Sequence, residues 1–462
     1  MNNIITLTDS YKCGHYNQYP EGTEGVYSYF ESRNGAKFDT TVFFGLQYYL
    51  KKYLAGVVIT EEKIVKAKAL VDAHLGEGNF NEKMWRHILE NHGGKLPVRI
   101  RAVPEGTPVP VSNVLMTVEN TDPLCAPLTN HLETILTHSW SASTVATLSR
   151  ETKKMLKVYL EATSDTLDGL NFMLHDFGAR GVSSVESGAF CGAGHLVNFM
   201  GTDTISAIEL AMDYYSADVC AYSVPATEHS VMTALGPEGE VKVLERLLDK
   251  YPTGILSVVS DSYDIYGFVK NYVCGKFKTR ILERDGVFVV RPDSGDPVST
   301  VIALLNILEE GFGTTVNSKG CKVLNPKVRV IWGDGIDYDG IGKILHSMKE
   351  NLWSAENIVF GMGGGLLQKI NRDNQRFAFK CSAQKRDGKW YDIYKDPIDK
   401  SKMSKKGKLA LTRELNGIIL TYKTIEQYDE NDDENNILEI VFEDGELVRE
   451  YTFNEIRKNA EL

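Results

Sequence analysis

The chain has 462 residues, 42% hydrophobic and 24% charged, a composition that excludes disordered and fibrous classes and leaves room for two or three domains. Fifty-one Lys and Arg against 62 Asp and Glu leave a net charge of −11. This argues against a nucleic-acid partner held by diffuse electrostatics, so any anionic ligand needs a local basic cluster. The first residues, Met1 to Asp9, lack the basic then apolar pattern of a secretory signal, and no apolar run approaches the roughly 20 residues that span a bilayer. Seven scattered cysteines without a Cys-x-x-Cys pair fit a reducing compartment. A soluble, cytoplasmic protein without a membrane partner is expected.

In chain order, Thr60-Glu61-Glu62 opens a predicted helix whose apolar face is Ile64, Ala67, Val71 and Leu75. Val98 to Val103 alternates as a half-buried strand does. From about 170 to 370 the texture becomes short apolar runs, each followed by a polar or glycine-rich turn and a helical pattern. Six such runs stand out: 172–174, 196–200, 255–259, 287–290, 328–332 and 358–360. Repeated strand-turn-helix units imply a parallel sheet covered by helices, barrel or doubly wound, with its chemistry at the carboxyl ends of the strands. Past 375, strands return as a hairpin, 437–442 and 447–451, turned at Asp444-Gly445 and preceded by a solvated acidic loop, Asp429 to Glu434.

The turns carry candidate site residues. His175 to Arg180 follows the first run, Gly201 to Thr204 the second, Ser260-Asp261-Ser262 the third and Arg291 to Pro297 the fourth, where Asp296 and Pro297 start a helix. Gly333-Asp334-Gly335 follows the fifth, and Gly361 to Gly365 the sixth. A glycine run after a strand lets bare backbone approach an anion. Arg180 and Arg291 suit bidentate phosphate or carboxylate recognition, with an ion pair to a neighbouring Asp as the structural alternative. Asp293 and Asp334 suit a metal or sugar hydroxyls, or act as helix caps. His229, beside Glu228 and in reach of Asp261, has the surroundings of a nucleophile or base.

These motifs, with Thr8 to Lys12, Tyr27 to Glu31, Gly45 to Tyr48, Ser223 to Ser230, Val259 to Tyr266, Gly363 to Lys369, Asp396-Pro397, Ser404 to Gly407 and Glu455 to Ala460, resemble the nicotinamide phosphoribosyltransferase family almost end to end. The resemblance implies a type II phosphoribosyltransferase: an irregular parallel α/β barrel with a second, mainly β (α+β) domain built from both chain ends. Residues 1–150 are then the first part of that small domain, 151–375 the barrel and 376–462 the β-rich part that completes it. It implies transfer of phosphoribosyl from 5-phosphoribosyl 1-pyrophosphate to nicotinamide in NAD salvage, Mg2+, and a homodimer with shared active sites.

By the same resemblance, Phe177 stacks on one face of the pyridine and Tyr11 of the second subunit on the other, while Asp203 accepts a hydrogen bond from the carboxamide and repels nicotinate. Arg180, Ser257 and Arg291 line the nicotinamide and phosphate region. Asp293 with Gly333, Asp334 and Gly335 holds ribose and metal, Gly363 and Gly364 take the 5′-phosphate, and Arg33, Arg372, Lys380, Lys395 and Lys402 surround pyrophosphate. His229, oriented by Glu228 and Asp261, corresponds to a histidine phosphorylated by ATP.

The nearest alternative is nicotinate phosphoribosyltransferase of the same fold, against which Asp203 speaks. A noncatalytic binding protein that keeps the shell is disfavoured by the intact site residues. A phosphate-binding barrel isomerase or dehydrogenase is allowed by the turns alone, but lacks support from a dinucleotide fingerprint because no Gly-x-Gly-x-x-Gly opens a strand-helix unit.

Overall fold

The computed structural model describes residues 3–398, 403–413, 417, 419–423 and 436–462, and both Lys402 and the acidic loop 429–434 lie outside them. The chain divides into two units. The first comprises Met1–Thr147, Ala211–Ala217 and Asn371–Glu461, and the second Leu148–Leu210 and Asp218–Ile370. These seams fall a few residues from 150 and 375, and Ala211–Ala217 joins the first unit rather than the barrel stretch. Among the described residues no helix is long and apolar enough to cross a membrane.

The first unit is built on a seven-stranded antiparallel sheet. Its order is Lys389–Asp392, Ala378–Arg386, Thr23–Glu31, Val114–Asn120, Val98–Ala102, Glu439–Glu443 and Glu446–Leu447, so both chain ends contribute. Val98–Ala102 alternates buried and half-buried positions as its sequence predicts. The predicted helix runs Glu61–Leu75, capped by the Thr60 side chain accepting from the Lys63 N–H, with Ile64, Ala67 and Val71 buried. The hairpin turns at Asp444 and Gly445, both at positive φ, but its return strand is only Glu446–Leu447, shorter than the predicted 447–451.

Glu105 is buried in this unit and accepts from the backbone N–H groups of Gly45 (2.8 Å) and Gln47 (2.6 Å) and from the Tyr215 hydroxyl (3.1 Å). It thereby holds the entry to the helix that starts at Leu46 and anchors Ala211–Ala217.

The second unit holds six parallel strands: Leu174–Asp176, Gly201–Thr202, Thr253–Val259, Asp285–Arg291, Val328–Trp332 and Ile358–Met362. Successive strands pair with one another from the third to the sixth, the sixth pairs with the first, and the first with the second. The second and third do not touch directly. The segment between them bridges both, Tyr222 to Gly201 and Ala226 to Ser257. The ring is therefore closed in chain order by a stave of single bridges, in which Pro225 supplies only its carbonyl, to the Ser257 N–H. This irregular α/β barrel agrees with the expected fold class.

Two predicted runs are displaced. Leu170–Phe172 is a 3₁₀ turn, and the first strand begins only at Leu174. The run 196–200 is not a strand. Leu196 ends the helix Val185–Leu196, Val197 and Phe199 are buried beyond it, and the strand proper is the dipeptide Gly201–Thr202. A short apolar run at a buried helix end has the same pattern as a buried strand. Asp296 and Pro297 start the helix Pro297–Phe312 as predicted, the Asp296 side chain accepting from the Ser299 N–H.

Burial pushes the Glu105 carboxyl from its ordinary 4.5 up to about 7. The folded chain keeps that proton at pH values where the unfolded chain has lost it, so this group's contribution to stability falls as pH rises from 4.5 to about 7 and is level above. Urea unfolding across that window should show a component of the slope that Glu105→Gln abolishes. An unchanged slope in the variant contradicts the assignment.

Candidate active site

The closed ring sends every strand's carboxyl end to one rim, and there a cavity of about 610 Å³ is lined by residues from the bridging stave and from the ends of every strand but the third. The first strand leads to Phe177 and Arg180, the second to Asp203, and the bridging stave to Glu228, His229 and Ser230. Arg291 ends the fourth strand and Asp293 follows it, Gly333, Asp334 and Gly335 follow the fifth, and Gly363 and Gly364 the sixth. Phe177, Asp203, Arg291 and Gly364 thus share one cleft.

The aromatic wall depends on missing side chains. A Cβ on Gly361 would stand 2.0 Å from Phe177 Cε2, and one on Gly333 would stand 3.2 Å from the same atom. Glycine at these two strand ends is thus the space in which the ring lies. The Phe177 N–H donates to the Met362 carbonyl at 3.1 Å. Below it, the buried Asp176 accepts from the Gly178 N–H at 2.7 Å, and its own carbonyl accepts from the Asp203 N–H at 2.9 Å. Asp176 therefore ties the first and second turns together, and burial pushes its carboxyl up to about 6.

Asp203 is exposed to the cavity, and its Oδ1 accepts from the Ser223 hydroxyl at 2.5 Å. Arg291 is half-buried. Burial pulls its guanidinium below the usual range, against the opposing pull of Asp293, Asp203 and Asp261, and its Nε has no hydrogen-bond partner among the described residues. The buried Ser257 hydroxyl likewise lacks one; it lies on the third strand rather than on the cavity wall.

His229 begins the short helix His229–Met232. Its Nε2 lies 3.2 Å from Asp261 Oδ1 and its Nδ1 3.8 Å from Asp293 Oδ2, with the His229 side chain 46% exposed and that of Asp261 5%. Asp261 is itself held, its Oδ2 accepting from the Asp293 N–H (3.0 Å) and the Ser294 hydroxyl (2.5 Å). Glu228 does not share the orienting role expected of it. It stands at the N-cap with extended backbone, and its carboxylate accepts from Ser230 at 2.5 Å. Asp293 is the carboxylate that lies on the other side of the ring, at 3.8 Å.

Asp334 lies near Asp293 and Asp261, and partial desolvation followed by these two charges pushes its carboxyl up. A carboxyl that neighbouring carboxylates push up in this way suits a hard divalent cation with oxygen ligands. Gly363, Gly364 and Gly365 present bare backbone opposite, and Lys369 adds a cation whose N–H caps Gly364 through its carbonyl at 2.7 Å. Lys369 and Gln368 on the wall belong to the stretch Gly363 to Lys369, but neither is given a role from sequence. Their signal was their position at the end of the one turn of helix that the glycine run opens, Gly364–Leu367.

In the first unit Arg33, Arg372, Lys380 and Lys395 gather with Arg376 around a cavity of about 290 Å³. Burial lowers the Lys380 pKa; Arg33, Lys395 and Arg372 add to that, and Glu133 opposes it. Such a cluster has the charge to suit a polyanion. Tyr11 lies in the same unit, 57% exposed on the 3₁₀ helix Ser10–Asn17.

An aromatic wall, carboxylates, arginines and a glycine run on one rim suit a planar heterocycle beside a phosphorylated sugar. The sequence model of the nicotinate phosphoribosyltransferase (NAPRTase) family matches residues 172–446, and that of the nicotinamide phosphoribosyltransferase N-terminal domain matches residues 3–100. A nicotinamide phosphoribosyltransferase of Xanthomonas campestris pv. campestris is 47% identical over 466 residues, covering 100% of this chain and 98% of that one. One from Acinetobacter baylyi is 35% identical over 99% of this chain and 96% of its own. Among solved structures, the nicotinate-nucleotide pyrophosphorylase of Pyrococcus furiosus superposes with a TM-score of 0.61 at 16% identity, over 99% of this chain and 95% of that one. Human nicotinic acid phosphoribosyltransferase gives 0.56 at 14%, over 98% and 92%, and these two likenesses establish the fold. The chain belongs to the nicotinamide phosphoribosyltransferase family and is an enzyme of that class.

Gly361→Ala puts a methyl group into the Phe177 ring and must displace it. A displacement of about 1 Å in a positioning group can cost about a hundredfold in rate. The variant should lose about 10- to 100-fold in kcat/KM for the heterocycle, with overpacking of about 1–3 kcal/mol on thermal unfolding. Wild-type kinetics would show that the ring does not need this space.

Proposed function

We propose that the enzyme transfers the phosphoribosyl group of 5-phosphoribosyl 1-pyrophosphate to nicotinamide, releasing nicotinamide mononucleotide and pyrophosphate in NAD salvage. The observation that carries this reading is that Phe177, Asp203, Arg291 and Gly364 line one cleft. The relatives bearing the name nicotinamide phosphoribosyltransferase support the choice of base.

In this reading the pyridine stacks on Phe177, and its carboxamide N–H donates to the Asp203 oxygen that Ser223 leaves free. The pyridine nitrogen attacks C1 of the ribose as the C1–O bond to pyrophosphate breaks, with positive charge developing on the sugar. Positioning and electrostatics carry this step. Gly363 to Gly365 and Lys369 receive the 5′-phosphate, and Arg180 and Arg291 hold anionic or amide oxygens. Asp293 and Asp334 would hold Mg2+, which when bound offsets charge on the leaving pyrophosphate. The upward push of the Asp334 carboxyl by burial and by Asp293 supports that assignment.

A polyanion-binding cluster built on Arg33, Arg372, Lys380 and Lys395, and an exposed Tyr11, support a homodimer in which these groups complete the site of the second subunit. ATP is the proposed phosphoryl donor to His229. Asp261 fixes one ring nitrogen, leaving Nδ1, on the cavity side with Asp293, to attack the γ-phosphorus as the bond to ADP breaks.

Turnover of nicotinamide and nicotinate, each with and without ATP, tests base and coupling together. Nicotinamide should be strongly preferred; equal or better use of nicotinate overturns the choice. Asp203→Asn should reduce the preference at least about tenfold, because placing like charges together costs several kcal/mol. Unchanged selectivity removes Asp203 from this role. His229→Ala should lose labelling by γ-phosphate-labelled ATP and ATP stimulation while keeping basal transfer, and retained labelling places the phosphosite elsewhere.

A further inference from the structure

In the first unit, at residues that take no part in the candidate site, two imidazoles and a carboxylate converge. His87 lies in the helix Glu82–Asn91, His92 is its C-cap, and Asp122 caps the 3₁₀ turn Pro123–Cys125 that follows the strand Val114–Asn120. The Nε2 atoms of both histidines lie 2.8 Å from the same oxygen, Asp122 Oδ2. The donor atoms of all three residues lie within 4.8 Å of one another. No other group of three His, Cys, Asp or Glu among the described residues meets that condition.

We propose that His87, His92 and Asp122 form a binding site for a borderline divalent transition metal of the Zn2+ class. Two neutral imidazoles and one carboxylate, with water in a fourth position, are a tetrahedral Zn2+ donor set, whereas Mg2+ and Ca2+ call for oxygen ligands throughout. The ligands are held before any ion arrives. Asp122 Oδ1 accepts from the Leu124 N–H at 2.8 Å, and the Asp122 carbonyl accepts from the Asn120 amide at 2.8 Å. That leaves Oδ2 for the cluster. Side-chain exposures of 20%, 26% and 18% leave a path from solvent.

Without metal, two N–H groups share one carboxylate oxygen. Coordination moves each Nε2 proton to Nδ1 through solvent, so no net proton is lost. His87 Nδ1 faces the Asn91 side-chain amide at 3.0 Å, and rotation of that amide turns its oxygen toward the new Nδ1–H as an outer-sphere acceptor. A bound ion would tie the end of the helix to the loop after the strand. It is separate in residues and chemistry from the carboxylates of the barrel.

The test uses the full chain, stripped with EDTA and titrated with Zn2+ in excess Mg2+, which occupies oxygen-only sites. One equivalent per chain should bind and raise the thermal midpoint, and Co2+ should give the intense visible absorption of a four-coordinate centre. His92→Gln and His87→Gln should each weaken uptake at least about tenfold, the loss that even outer-sphere changes cause, and should abolish the midpoint rise while leaving basal transferase activity unchanged. The proposal fails if wild type takes up no stoichiometric Zn2+, if Co2+ gives only the faint spectrum of the hexaaqua ion, or if both variants bind as wild type does.

Discussion

The site depends on one topological constraint: parallel staves pairing in chain order until the sixth strand meets the first. With direct pairing alone the sheet would remain open between Gly201–Thr202 and Thr253–Val259. The bridges of Tyr222 and Ala226 close it. A closed parallel ring has all its carboxyl ends at one mouth, so turns separated by nearly two hundred residues become neighbours. That stave continues directly into Glu228 and His229, so the same few backbone bonds that close the barrel also set the histidine against Asp261.

Within the rim, what is absent matters as much as what is present. Phe177 can lie flat across the mouth because Gly361 and Gly333 have no Cβ to meet it, and Gly365 lies so close to the Ile336 carbonyl that a Cβ would stand 2.6 Å from it. Backbone packed this tightly leaves amide groups at the surface of the cavity, where an anion can reach them. The glycine run is a packing requirement, and the same bare backbone is what the proposed phosphate site uses.

The electrostatics are deliberately unbalanced for a protein without ligands. Asp203, Asp293, Asp334 and Glu228 line the cavity with Arg180, Arg291 and Lys369, and Asp261 stands behind His229. Opposed charges of both signs, several partly desolvated, suit a substrate that brings phosphates and a cation that brings countercharge. A net charge of −11 does not oppose a local anion site, because the overall balance is screened at the range over which the cavity acts.

Much was legible before any coordinates. Alternation and turn chemistry located four of the six staves, the Thr60 and Asp296 caps and the Asp444-Gly445 turn, because these depend on neighbours a few residues away. The rim residues were legible too, since polar turns after apolar runs fall at strand ends. The run 196–200 misled because burial erases the periodicity that tells a helix end from a strand, and Glu228 misled because adjacency in sequence points successive side chains apart. The closing stave, the exchange of Glu228 for Asp293 beside His229, the space kept by Gly361 and the meeting of His87 and His92 with Asp122 join residues distant along the chain. Local pattern carries no record of such distances; they exist only once the strands have paired and the helices have packed.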